Sequence, residues 1–255
     1  MTTVGGSIPS TRATTDRFFA EPIRDHVLAG LRRPVAILQA GCLAPLRELG
    51  IGELEEGGVD ITVSVVDVDE PAAREVLAQT RDAYDGVIVG DLRTVPLSPR
   101  GFDVVYCGHL LERVAHVELV LDRIVGALRP GGLLLIRVTD RDSSWALLDR
   151  TLPSAMRRAI WRQLHPGVPG PFPAVYERGA TSRGIASYAL LHGLVIAQRS
   201  REDTLPAIPG RLPAWVRLAG AAITWLSRGR FANHHDDLLY VIRKPEDRSA
   251  RVVVS

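Results

Sequence analysis

The chain has 255 residues and a mass of 27.8 kDa, a length that favours one domain over two. Its 31 basic and 29 acidic residues leave a formal charge of +2, and hydrophobic residues make up 46%. That balance excludes wholesale disorder, a disulfide-stapled mini-protein and a general nucleic-acid binder. Lys244 is the only lysine and every other basic residue is arginine, a bias that a GC-rich coding genome explains. Cys42 and Cys107 are too few for a disulfide framework or a structural zinc site. Both lie in apolar stretches, so buried thiols in a reducing compartment are expected. The leading MTTVGGSIPSTRATTDR has no apolar core of signal-peptide type. The most apolar stretch, residues 212–226, contains Arg217 and falls short of the roughly 20 residues that span a bilayer. A cytoplasmic protein without a membrane span is expected.

Residues 1–13 read as a Gly/Ser/Thr/Pro arm. A helix is predicted over 15–31, where Phe18, Phe19, Ile23, Val27 and Leu31 recur at helical spacing. An alternation follows. Residues 35–40 (VAILQA) read as a buried strand, with a helix from Pro45, since proline suits a first helical turn. Residues 61–68 (ITVSVVDV) form a second, β-branched strand, with Asp69 as cap of the helix PAAREVLAQTRDA. Residues 86–90 and 102–107 are the third and fourth strands. A helix is predicted over 114–128, then a break at RPGG, then a fifth strand at 133–139. Near-continuous apolar strands alternating with helices indicate a parallel sheet covered on both faces. Beyond it come a helix candidate around 143–163, a proline-rich stretch (HPGVPGPFPAVYERG), a helix over 181–192 stopped by Gly193, a strand at 194–198 and a last strand at 237–243.

Open parallel sheets bind ligands at the carboxyl ends of their strands. Gln39-Ala40-Gly41, Asp67, Asp91 and Gly108-His109 stand at those ends. A carboxylate after the second strand suits a ribose diol, and one after the third suits an adenine amino group. The ordered set VAILQAGC, VVDVD, VVGDLRTVPL, FDVVYCGHLLERV and LRPGGLLLI resembles the class I S-adenosylmethionine-dependent methyltransferases, most closely the small-molecule group called type 11. The resemblance covers about residues 30–140. It implies an α/β, Rossmann-like, doubly wound sheet of seven mostly parallel strands, with an antiparallel last strand and helices on both faces. It implies one domain over 1–255: a cofactor-binding half (30–140), acceptor-side insertions and a lid (141–233), and a last strand with its tail (234–255).

Carried over by position, Gly41 matches the first glycine of the cofactor loop and Asp67 the ribose-binding acid. Val68 would pack on adenine. Asp91 would meet the adenine amino group beside the Leu92 amide. Tyr106 to His109 would line the methionine end and the transferred methyl, with His109 as candidate base. The loop departs from the family's D-x-G-x-G-x-G: Gln39 stands for the acid, and Leu43 and Pro45 replace later glycines. Leucine adds bulk and proline removes a donor. Arg113 stands where the family often keeps histidine. No arginine cluster is expected at the cofactor edge, which Asp67 and Asp91 mark.

His165, Tyr176 and Trp215 are the candidates for acceptor contact. His234 to Asp237 look like a metal cluster, but adjacent histidines on a strand point to opposite faces, and a solvated turn is the expectation. The segment LPAWVRLAGAAITWL is apolar all round if helical. It would pack over the sheet or in a homodimer interface, or close as a lid over the acceptor. The function so implied is methyl transfer from S-adenosyl-L-methionine to a hydroxyl, less readily a carbon or nitrogen, of a hydrophobic small molecule of specialised metabolism, leaving S-adenosyl-L-homocysteine. The alternative is a methyltransferase fold that has lost methyl transfer and acts as a cyclase, a rearrangement catalyst or a non-catalytic binding partner.

Overall fold

The computed structural model describes residues 11–29, 33–43, 50–164, 166–203 and 236–246, with Ala222 and Trp225. Seven strands form one sheet: β1 (Val35–Ala40), β2 (Ile61–Asp67), β3 (Gly86–Val89), β4 (Phe102–Gly108), β5 (Leu128–Thr139), β6 (Val195–Asp203) and β7 (Asp236–Arg243). Their spatial order is β3-β2-β1-β4-β5-β7-β6. β1 to β5 pair in parallel, and β7 runs antiparallel to both its neighbours. The expected architecture is therefore present. The order reverses between β1 and β4, where Ala40 lies opposite Cys107. The carboxyl ends of these two strands open the crevice in which doubly wound folds bind ligands.

Two apolar layers cover the sheet. On one face, α1 (Thr11–Leu28) and α3 (Pro71–Gln79) bring Phe19, Ile23, Val27, Val76 and Leu77 onto Ile37, Val63 and Val104. On the other, α4 (Val117–Ala127) and α7 (Ser182–Leu191) bring Leu121, Ile124 and Ile185 onto Leu38, Val105 and Leu134. Each such fully buried side chain contributes about 1.5–3 kcal/mol. The helix α2 (Ile51–Glu56) precedes β2; the predicted start at Pro45 lies outside the described residues.

Several expectations are corrected. The first helix begins at Thr11, so residues 11–13 are not part of an arm, and it ends at Leu28. Asp69 does not cap α3: Glu70 occupies that position, and Asp69 accepts from Arg74 Nε at 2.6 Å. RPGG does not break the chain out of the sheet. Gly131, at φ +80°, donates its N–H to Lys244 O, while Lys244 N–H donates to Gly132 O. The run is a bulge within β5, opposite a register shift between Phe102 and Val104. α4 starts at Val117 because His116 sits at φ +57° and the Glu177 carboxylate accepts the Val117 N–H. The 143–163 candidate is two helices, α5 (Ser144–Thr151) and α6 (Ser154–Leu164), parted at Pro153. Gly193 ends α7 at φ +64°, as expected.

The lone lysine has a structural place. Lys244 Nζ donates to Val125 O and Leu128 O, each at 2.7 Å, and so closes the carbonyl end of α4.

Candidate functional site

The site is built on the ends of β1, β2 and β4. Gly41 turns the chain off β1 at φ +98°. A Cβ there would lie 2.5 Å from the Gly108 carbonyl oxygen, so only glycine lets the two strand ends approach so closely. Gln39, fully buried, donates from Nε2 to Gly41 O at 2.8 Å and braces the turn. It serves the loop's own backbone.

Asp67 ends β2 with its side chain fully buried. Cys42 N–H donates to its Oδ2 at 2.8 Å, and Val68 N–H to its Oδ1 at 2.7 Å. Arg113 Nη2 then donates to both oxygens, at 2.9 and 3.0 Å. The Arg113 side chain is itself only 2% exposed. Its guanidinium carbon stands 4.5 Å from the centre of the Phe172 ring, a cation–π contact from the proline-rich segment. Burial, with Asp67 beside it, pushes the Cys42 thiol far up; Cys107 is likewise raised by burial. Both thiols are buried, as expected, and neither is set up as a nucleophile.

Beside this pair lies a cavity of about 300 Å³ lined by Val68, Asp91, Leu92, Arg93, Arg113 and Val114, among others. Val68 is half-buried at its wall, and Leu92 is buried. The Asp91 carboxylate is held by Arg93, whose Nε and Nη2 donate at 2.9 and 2.7 Å. That contact lowers its pKa to about 2. No arginine cluster was expected at this edge; in the structure each of the two acids meets an arginine, Arg93 at Asp91 and Arg113 at Asp67. Arg93 is close to Asp91 in sequence and exposed with it, so that contact is weak and easily exchanged. The Asp67–Arg113 pair is buried.

Past β4 the chain turns sharply again. His109 takes φ +51°, and its N–H donates to Arg137 O. Its Nδ1 lies 2.9 Å from Glu112 Oε1, and its Nε2 lies 3.6 Å from Asp237 Oδ2. Asp237 is anchored by Arg137 Nε at 2.8 Å and by Thr139 Oγ1 at 3.3 Å. Tyr176, at φ +48°, closes the far side. Its hydroxyl donates to Asp149 Oδ2 at 3.2 Å, and burial, with Asp149 next, holds its pKa well above the usual phenol value. Val175 and Tyr176 both donate their N–H groups to Glu112 O. Residues 112–113 thereby face two ways: Glu112 reaches His109, and Arg113 reaches Asp67.

The structure brings Gly41, Asp67, Val68, Asp91, Leu92 and Gly108 to one crevice and puts His109 at its edge. Tyr106 differs from expectation. Its ring is fully buried, leans over Gly108, and meets Phe19 of α1 edge-on at 5.6 Å. His165, Trp215, His234 and His235 lie outside the described residues. Sequence reasoning missed Glu112 and Asp237 as neighbours of His109. The i, i+3 spacing of His109 and Glu112 across a turn was the one local signal.

Residues 43–136 match a family model described as a methyltransferase domain. A ubiquinone biosynthesis O-methyltransferase of Rhizobium etli is 32% identical over 138 residues, 52% of this chain and 51% of that protein. The chain thus matches about half the length of this curated relative. Among solved structures, YcgJ of Bacillus subtilis aligns with TM-score 0.55 at 15% identity, over 91% of this chain and 99% of the other. A geranyl diphosphate methyltransferase in complex with GPP and sinefungin gives 0.53 at 14%, over 89% and 77%. The 4+2 cyclase SpnF gives 0.52 at 13%, over 91% and 81%. These likenesses show a shared fold. No helix among the described residues is long and apolar enough to cross a membrane.

Proposed function

We propose that the protein transfers a methyl group from S-adenosyl-L-methionine to a hydroxyl of a hydrophobic small molecule. The observation that carries this reading is the single segment after β4. It lines the cavity through Arg113 and Val114, and it presents His109 between Glu112 and Asp237.

The residues present fit the adenine end of the cofactor. Val68 and Leu92 give apolar walls and Asp91 an exposed acceptor for the amino group, while Gly41 keeps the β1 and β4 ends close together beside them. Asp67 is the acid for the ribose diol, and Arg113 now engages it. When bound, the cofactor supplies a sulfonium-activated methyl, so the protein's work is alignment and proton handling. The hydrogen bond between His109 Nδ1 and Glu112 assigns the proton to Nδ1 and leaves the Nε2 lone pair for the acceptor hydroxyl. Nε2 is too far from Asp237 for a hydrogen bond. A proton taken up there places the ring's charge between two carboxylates. Tyr176 and the proline-rich segment form the acceptor wall.

A second reading is favoured by one observation, the occupied Asp67: a fold that keeps its pocket but no longer transfers methyl. The two separate in one experiment. The purified protein is titrated calorimetrically with S-adenosyl-L-homocysteine, then incubated with S-adenosyl-L-methionine and a panel of hydroxylated apolar acceptors. Binding and a mass gain of one methyl support transfer. Absence of binding at millimolar ligand, or turnover without methyl gain, supports the second reading.

A further inference from the structure

The Asp67 carboxylate is saturated. A carboxylate offers about four lone-pair positions. Cys42 N–H takes one on Oδ2, Val68 N–H takes one on Oδ1, and Arg113 Nη2 takes a further one on each. A vicinal diol needs both positions that Nη2 holds. Diol and guanidinium therefore exclude each other at Asp67. The guanidinium also stands in the crevice itself: a Cβ on Gly41 would lie 3.4 Å from Nη2.

The pair is not a settled piece of core. Arg113 Nε and Nη1 are buried yet have no hydrogen-bond partner among the described residues. A guanidinium kept for stability alone would have its donors satisfied. What holds Arg113 in place is the Phe172 ring on its other side, and Phe172 belongs to the segment whose Val175 and Tyr176 amides grip Glu112 O.

We infer that Arg113 is the specificity residue of the cofactor seat: it locks the ribose acid Asp67, and an adenosine diol gains that acid only when the guanidinium withdraws past Phe172. This inference rests on the cofactor reading above. The lock lowers the affinity for any ribose-bearing ligand by the fraction of time it is open. It also makes the wild-type site indifferent to the diol, because the acid that would read it is occupied.

The test is calorimetric binding of S-adenosyl-L-homocysteine, of adenosine and of the adenosine analogue lacking both ribose hydroxyls. It compares the wild type with Arg113→Met, which keeps the apolar stem and removes the charge. The variant is expected to bind S-adenosyl-L-homocysteine about tenfold or more tighter, and to prefer adenosine over its analogue by about tenfold where the wild type shows little preference. Should Arg113→Met not fold, Phe172→Leu loosens the guanidinium without touching Asp67 and is expected to tighten binding by about threefold. Binding in the variant that equals or falls below the wild type overturns the lock and leaves the cofactor reading standing. A wild type that already discriminates the diol as strongly as the variant does the same. If neither protein binds any of the three ligands, the lock and the cofactor reading fall together.

Discussion

Replacing Gly41 by alanine tests the geometry on which the crevice depends. Two separate costs follow from the structure. At φ +98° an L-residue is strained, which costs about 1–2 kcal/mol. The new Cβ would also sit 2.5 Å from the Gly108 carbonyl oxygen. That oxygen belongs to β4, which is paired on both sides by β1 and β5 and cannot retreat as a flexible side chain would. Overpacking of this kind costs about 1–3 kcal/mol. The sum is about 2–5 kcal/mol. Gly193→Ala provides the control. Its φ is +64° and nothing lies within 4 Å of the point a Cβ would occupy, so it bears the backbone cost alone, about 1–2 kcal/mol. Urea unfolding of the two variants isolates the clash, provided the slope with denaturant is unchanged. Gly41→Ala is expected to lose about 1–3 kcal/mol more than Gly193→Ala. Equal losses would refute the close approach of the β1 and β4 ends.

Three further outcomes are expected. His109→Gln should lower turnover by about 10²–10⁴-fold while leaving the affinity for S-adenosyl-L-homocysteine almost unchanged; a parallel loss of affinity would show that His109 serves the cofactor. Thr181→Ala removes the hydroxyl that accepts the Gly184 N–H at 3.1 Å and should cost about 0.5–2 kcal/mol in the same unfolding assay. Asp103 is buried, which raises its pKa, but hydrogen bonds from Arg33 and Ala36 N–H, with the charge of Arg129, outweigh that and hold it below 3.8. A depressed folded pKa stabilises above the unfolded value, and the gain is lost as pH falls through the folded value. Asp103→Asn should therefore cost stability at pH 7, by about 2–4 kcal/mol, and flatten the loss of stability below about pH 4; an unchanged acid limb would argue against the assignment.

The strands were legible because β-branched apolar runs ending in Gly or Asp have few other readings. ITVSVVDV and FDVVYC fall within one residue of β2 and β4. The helix ends were less so, since they turn on single contacts: Glu177 reaching back to Val117, or Lys244 keeping Gly131 in the sheet. Asp67 and Asp91 were recognisable as strand-end acids. Their arginines were not, for different reasons. Arg93 lies two residues from Asp91, but among so many arginines that spacing carries no signal. Arg113 lies 46 residues from Asp67, and only the folded sheet joins them. Asp237 escaped for the same reason, since it reaches His109 from the far end of the chain through the β5–β7 register.

The closure of α4 by the lone lysine has a practical side. Lys244 Nζ is committed to two carbonyls, so an amine-acylating reagent competes for that nitrogen with the end of α4 and the start of β5. In a protein whose other basic side chains are all arginine, acylation at Lys244 is a single-site clock for the release of that nitrogen from one corner of the sheet. Its rate reports a local event that an averaged spectroscopic signal would hide.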